Sequence, residues 1–319
     1  MAYIYNKLMH QLKNLTHMLV LFLFMGIVLS LLGYVLAGIK GVLWAAVLGG
    51  LLVIISPNLT PSFILSLYGG KLLLASDVPD LHKITQELAV RADLVSYPLL
   101  YYIPSHMLNA FSVGSPKNSA IGLSDGLLNS LSLRELIGVL AHEISHIKHN
   151  DAQVMGYAYI IGHITSTLSL TGILLILFNL PLFFMGLVTI SWLAIGILIV
   201  APNIITFLQL LLSRMKEFDA DREAIILTGD PEGLAMALSK LEDYESLDKQ
   251  ILLHSGHRSS LPSNIRTHPD TKERIERLLH LKAPLDQYLK NLNHDSFVIP
   301  INFRKKLRPP HWHLNGLWY

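Results

Sequence analysis

His142-Glu143-Ile144-Ser145-His146 sets two imidazoles four residues apart, with a carboxylate directly after the first. On a helix, residues i and i+4 project from one face. The two rings can therefore ligate one divalent metal while Glu143 reaches a water beside it. The chemistry this suits is metal-assisted hydrolysis with a carboxylate as general base. The chain has no cysteine, which excludes thiolate ligands, thiolate nucleophiles and disulfides, so a metal site here must use His and carboxylate groups. A catalytic zinc takes three protein ligands and keeps one position open. In a metzincin the third ligand would be a His six residues after His146. Ala152 stands there, which rules that arrangement out.

The motif needs a helix, and the residues before it supply one. Ser132-Leu133-Arg134-Glu135 is a capping box, and Leu136, Val139, Leu140 and Ile144 recur at helical spacing as an apolar face. A third ligand is expected from another helix. Arg214-Met215-Lys216-Glu217-Phe218-Asp219-Ala220-Asp221-Arg222-Glu223 offers Glu217 and Asp221 four apart, which suits a carboxylate ligand followed by a carboxylate that orients a ligand imidazole. The same segment also reads as a solvated charged helix, since Lys216, Asp219, Arg222 and Glu223 can pair among themselves.

Composition says what surrounds these helices. Charged residues make up 15% of the 319, below the roughly 25% of soluble domains. The deficit is confined to residues 14–39, 41–70 and 152–213, which hold no Asp, Glu, Lys or Arg. The rest has ordinary soluble composition. About 20 apolar residues of helix cross a bilayer core, so four spans are expected, at about 18–37, 42–59, 154–178 and 182–203, the last pair divided at Asn179-Leu180-Pro181. This organises the chain as a membrane hairpin at 1–70, the first half of a soluble domain at 71–151, a second hairpin at 152–213, the second half at 214–295 and a tail at 296–319. Lys7, Lys13, Lys71, Arg214 and Lys216 flank the spans on one side and Lys40 alone on the other, which puts the soluble face in the cytoplasm. A net charge of +2 carries no basic surplus, so nucleic acid is not an expected partner.

Within the soluble part, Leu81, Ile84, Leu88 and Ala92 predict a helix from Pro79, capped by Ser76 or Asp77. Short apolar runs at 99–103, 110–113 and 120–123, separated by Pro104, Gly114-Ser115-Pro116 and Asp125-Gly126, predict strands of a small sheet. The expected fold is thus a mainly α integral membrane protein with four transmembrane helices and a cytoplasmic α+β domain of zincin-like character.

His-Glu-Ile-Ser-His followed by Asp151, a pair of spans, then Glu-Phe-Asp-Ala-Asp resembles the HtpX-like membrane-bound zinc metalloproteases, distant relatives of the CAAX prenyl proteases. Asn109-Ala110-Phe111, Ser124-Asp125-Gly126-Leu127-Leu128 and Thr267-His268-Pro269 extend the resemblance over most of the chain. It implies one Zn²⁺ held by His142, His146 and Glu217, with Glu143 as general base and Asp221 behind the ligands. It also implies a bacterial inner-membrane protease acting on misfolded or membrane-associated proteins, as part of quality control and the stress response. By the same resemblance Asn109 marks an edge strand that could hold an extended substrate, and His268 and Arg274 could support the oxyanion. Each of these has a plain structural alternative: an Asn ending a strand, or a helix boundary at Pro269 with Arg274 in surface pairs. Asp270 and the Ser- and Asn-rich stretch 255–264 depart from the pattern.

Two rival functions stand beside this one. A non-catalytic zinc scaffold would not need Glu143, and a prenyl-protein protease would call for a larger bundle than four spans. Other polar features are discounted: His163 in the third span, His149, the pairs His254/His257 and His311/His313, and the basic and aromatic tail from Phe303, which suits an interfacial anchor or a docked end. The charge-free block 152–213 begins six residues after His146 and ends four before Glu217. The lipid bilayer is therefore an expected partner close to the site, and membrane proteins or peptides are the expected substrates.

Overall fold

A computed structural model describes residues 2–55, 60–187, 189, 191–254 and 271–281. The chain divides into two units: Met1–Pro57 with Val154–Met215, and Asn58–Gln153 with Lys216–Tyr319.

The first unit is helical. Helix α1 (Ala2–Ile55) is broken at Ala37 and Gly38, where Gly38 takes φ 58°. Gly33 and Gly41 lie backbone to backbone beside the break. Eight residues apart on a straight helix they would be separated by about 12 Å, so the chain folds back here, and Leu29 and Ala45 meet Ile164 in one buried cluster. Helices α6 (Asp151–Phe184) and α7 (Trp192–Thr228) complete the unit and run beyond it. Gln209 Nε2 donates to the Ala158 carbonyl at 2.8 Å, in space left by Gly162, and Ser169 Oγ donates to the Leu198 carbonyl. Side-chain to backbone ties of this kind hold apolar helices together where burial alone gives little drive. Among the described residues, α1, α6 and α7 are the three helices long and apolar enough to cross a bilayer.

The division of the last hairpin differs from expectation. Helix α6 continues through Pro181 to Phe184, and the turn follows at Met185–Gly186. Gly186 takes φ 74°, its N–H donates to Phe183, and the Leu187 N–H donates to Leu182. This Schellman ending needs a left-handed residue, which Gly186 provides and Pro181 cannot.

The second unit is built on a four-stranded sheet of order β1-β2-β4-β3. The strands are β1 (Lys71–Leu72), β2 (Leu99–Ile103), β3 (Ala110–Ser115) and β4 (Asn118–Ser124). β2 and β4 are parallel, the other pairs antiparallel, and β3 is an edge strand. The short strand β1 had no sequence signal. Helix α2 (Pro61–Leu67) sets Leu65 under the sheet beside Tyr101 and Ile103. Helix α3 (Pro79–Arg91) contributes Leu81, Ile84 and Leu88 to the main core. Its cap position is Val78, with no side-chain cap, so the expected capping by Ser76 or Asp77 is corrected: Pro79 starts the helix with its φ already fixed and no N–H to satisfy.

Helix α4 (Asp125–Ser130) follows β4, with Ser124 Oγ accepting from the Leu127 N–H. Helix α5 (Leu133–Lys148) then starts at the Ser132 capping box, with the Glu135 carboxylate accepting from the Ser132 N–H at 2.7 Å. Its face of Leu136, Leu140 and Ile144 joins Leu100, Tyr102, Ile121 and Leu123 of the sheet in one core. Helix α8 (Pro231–His254) crosses the opposite side of α5 at Gly138, and α9 (Thr271–His280) buries Leu278 in the same core. A Cβ on Gly138 would lie 2.9 Å from the Leu234 backbone. Gly138→Val is therefore expected to lower stability by about 1–3 kcal/mol, measured by thermal unfolding in detergent, because backbone cannot yield as a side chain does.

Candidate metal centre

Helix α5 carries His142 and His146 one turn apart, with Glu143 between them, all held down by the apolar face beneath. The His146 Nε2 lies 3.1 Å from the His142 Nε2, and the rings meet edge to face. Glu217 reaches the same point from α7, its carboxylate 3.3 Å from the His142 Nε2 and 3.8 Å from the His146 Nε2. One ligand atom from each of the three residues falls within 4.8 Å of the others.

Carboxylates stand behind both rings. The His142 Nδ1 is 3.0 Å from Asp221 Oδ1, and the His146 Nδ1 is 2.8 Å from Asp151 Oδ2. Asp221 lies one turn beyond Glu217 on α7, whereas Asp151 follows Asn150, whose φ of 54° ends α5 just before α6 begins. Each carboxylate has a cation of its own. The Arg274 Nε and Nη2 donate to the two Asp221 oxygens at 2.7 and 2.6 Å, and its Nη1 lies 3.0 Å from Glu217 Oε2. The Lys216 Nζ approaches Asp151 Oδ1 at 2.8 Å, an ion-pair distance off the line of an ideal hydrogen bond. Further links join the helices: Lys148 of α5 pairs with Glu223 of α7 at 2.5 Å, and the Arg277 guanidinium stacks 3.9 Å over the Phe218 ring.

These groups are out of water: His142 is 7% exposed, Glu217 7%, Asp221 4% and Arg274 6%. Burial opposes charge on His142, but the carboxylates of Asp221 and Glu217 outweigh it and raise its pKa to about 10. Burial likewise opposes charge on Arg274, and Asp221, then Glu217 and Glu143, hold it well above its ordinary value.

The donor set fits a metal. Neutral rings protonated at Nδ1, the atom that faces a carboxylate in each, would turn an Nε2 lone pair toward one point, beside a carboxylate oxygen. Two such lone pairs 3.1 Å apart would repel each other unless a ring proton or a metal ion lay between them. Ligand atoms at about 2.0–2.1 Å from a tetrahedral ion are themselves roughly 3.3 Å apart.

The structure thus brings His142, His146 and Glu217 together, puts Asp221 behind His142, and buries Glu143 on the same helix. Arg274, expected to face an oxyanion or to sit in surface pairs, is buried against Asp221 and Glu217. Asn109 precedes edge strand β3 with its side chain exposed, its N–H donating to Ser124 Oγ and its carbonyl accepting from the Ser124 N–H. His268 lies outside the described residues, as do the 255–264 stretch, His257 and the tail from Phe303. Lys216 and the contact of Asp151 with His146 were not anticipated. The only sequence hint was an Asp five residues after the second motif His.

A model of peptidase family M48 matches residues 75–282. Among curated relatives, a Protease HtpX homolog of Ralstonia nicotianae is 34% identical over 240 residues, covering 68% of this chain and 79% of its own. A Protease HtpX homolog of Aquifex aeolicus is 32% identical over 281 residues, covering 81% and 90% respectively. The crystal structure of S. mikatae Ste24p aligns with a TM-score of 0.47 at 21% identity, over 86% of this chain and 67% of that one.

Proposed function

This chain belongs to peptidase family M48 and is a membrane-bound metalloprotease; from that premise we propose a zinc endopeptidase in which His142, His146 and Glu217 hold one Zn²⁺ and Glu143 is the general base. The observation that carries the reading is the convergence of the two Nε2 atoms and the Glu217 carboxylate on one point, directly beside Glu143 in sequence. Bound there, zinc supplies Lewis acidity to a scissile carbonyl and lowers the pKa of the attacking water to about 7. Glu143 takes the proton from that water and returns it to the leaving amine. Asp221 and Asp151 fix the two imidazoles in the tautomer that keeps Nε2 free for the metal.

Arg274 is assigned a bracing role, because its three guanidinium nitrogens face Asp221 and Glu217 rather than solvent. His268 keeps the role of supporting the developing negative charge that the family pattern suggests. Edge strand β3, with Asn109 ahead of it, is assigned the extended substrate: its outer edge has no strand partner among the described residues, and main-chain pairing there is sequence-tolerant.

Four membrane crossings are proposed, since the fold-back at Gly38 divides α1 into two apolar arms. The excess of Lys and Arg beside the soluble segments supports a cytoplasmic active face in a bacterial inner membrane. Membrane-associated and misfolded proteins are the proposed substrates, in quality control under stress.

The test is metal analysis together with cleavage of an unfolded protein by the full chain in detergent. One zinc per chain, loss of cleavage with a chelator and its return with added zinc are expected. Undiminished cleavage by the metal-stripped protein would overturn the proposal.

A further inference from the structure

We propose that Asp151 and Lys216 form a positioning clasp that orients His146 and holds the Glu217 helix in register with the two imidazoles. The inference rests on the ligand set proposed above and adds two residues to it. Asp151 is 4% exposed and uses both oxygens: Oδ2 faces the His146 Nδ1 at 2.8 Å and Oδ1 faces the Lys216 Nζ at 2.8 Å. Lys216 immediately precedes Glu217, so the cation that neutralises Asp151 is covalently next to the carboxylate of the metal set.

Two features separate this pair from an ordinary ion pair. First, exposed pairs contribute little, whereas a buried carboxylate is tolerated only when its charge is compensated and its oxygens are engaged. Second, the arrangement repeats. His142 leans on Asp221, which is held by Arg274 from α9, and His146 leans on Asp151, which is held by Lys216 from α7. Each ring is backed by a carboxylate and each carboxylate by a cation from a different helix. An ion pair serving only to join two helices would not need its carboxylate aimed at a ring nitrogen.

The clasp also answers a problem posed by the sequence. The charge-free block 152–213 separates the first two members of the metal set from the third, so the register of Glu217 against His146 must be set by contacts between elements, among which the Asp151–Lys216 pair stands beside Lys148–Glu223 and Asp221–His142. Asp151 is the first residue of α6 and lies five beyond His146; Lys216 lies one before Glu217. Their contact joins the two ends of the insertion at the metal set, so a slip of α7 that moves Glu217 also breaks the support of His146.

The full-length protein in detergent is loaded with Co²⁺ as a spectroscopic probe, and Zn²⁺ affinity is measured by competition with a chromophoric chelator. Asp151→Asn and Lys216→Met are each expected to weaken metal binding by about 10–100-fold and to shift the visible Co²⁺ bands, since the ring is no longer held. The double variant is expected to be no weaker than Asp151→Asn alone, because the pair acts as one unit. Lys216→Met leaves the Asp151 carboxylate in place and carries the test if Asp151→Asn does not fold. Wild-type affinity and unchanged bands in Lys216→Met, with binding abolished in a parallel His146→Ala, would overturn the clasp and leave the ligand set standing. Wild-type binding by His146→Ala would overturn the ligand set and the clasp with it.

Discussion

Glu143→Gln is expected to lower kcat on an unfolded protein substrate by about 10²–10⁴-fold while the protein keeps its metal and its stability. The substitution is isosteric, and Glu143 sits buried within α5, where the neutral amide packs as the carboxylate does and leaves His142 and His146 in place. What it removes is the only function assigned to this side chain, acceptance of a proton from the attacking water. KM should change little, because that loss is felt in the transition state and not in substrate binding. Turnover, metal content and thermal midpoint measured on one preparation separate the possibilities. Turnover equal to wild type would remove Glu143 as the base. Loss of stoichiometric metal would instead place it among the ligands. A zinc scaffold without catalysis would show no difference between the two proteins.

How much of this could be read from the chain beforehand depends on the distance over which each feature is decided. The Ser132 capping box, the apolar face of α5 and the facing of His142 and His146 are local, set within one or two helical turns, and the structure has them where spacing puts them. Glu217 and Asp221 could be picked out as a pair on one face, but spacing alone did not distinguish a metal carboxylate from a solvated helix; the structure buries both, which removes the solvated helix. The turn after α6 was displaced because Pro181 is a strong punctuation mark in sequence, while a Schellman ending is decided by Gly186. The partners of the cations were not legible. Lys148, Lys216 and Arg274 are similar charges in similar surroundings, and their pairing with Glu223, Asp151 and Asp221 is settled by helix packing across long stretches of chain.

Arg274 has the sharpest such consequence. Arg274→Met is expected to destabilise the metal-free protein by about 3–5 kcal/mol, because it leaves Asp221 and Glu217 buried without the guanidinium that faces both. The loss should be smaller in the metal-loaded protein, where a divalent ion compensates the Glu217 charge directly. By the thermodynamic cycle the folded variant then binds zinc more tightly than wild type does, and the gain in thermal midpoint on adding zinc should be larger for the variant. Arg274→Lys should recover only part of the loss, since an ammonium cannot span both Asp221 oxygens and Glu217 as the planar fork does. An oxyanion role makes the opposite forecast: kcat would fall while metal-free stability and metal affinity stayed at wild-type values. Thermal unfolding with and without zinc, beside kcat, distinguishes the two. A stable metal-free variant with normal zinc affinity and depressed kcat would return Arg274 to the substrate side of the metal. A variant that is unstable without metal and rescued by it would establish that the guanidinium keeps the carboxylates of α7 in place before any substrate arrives.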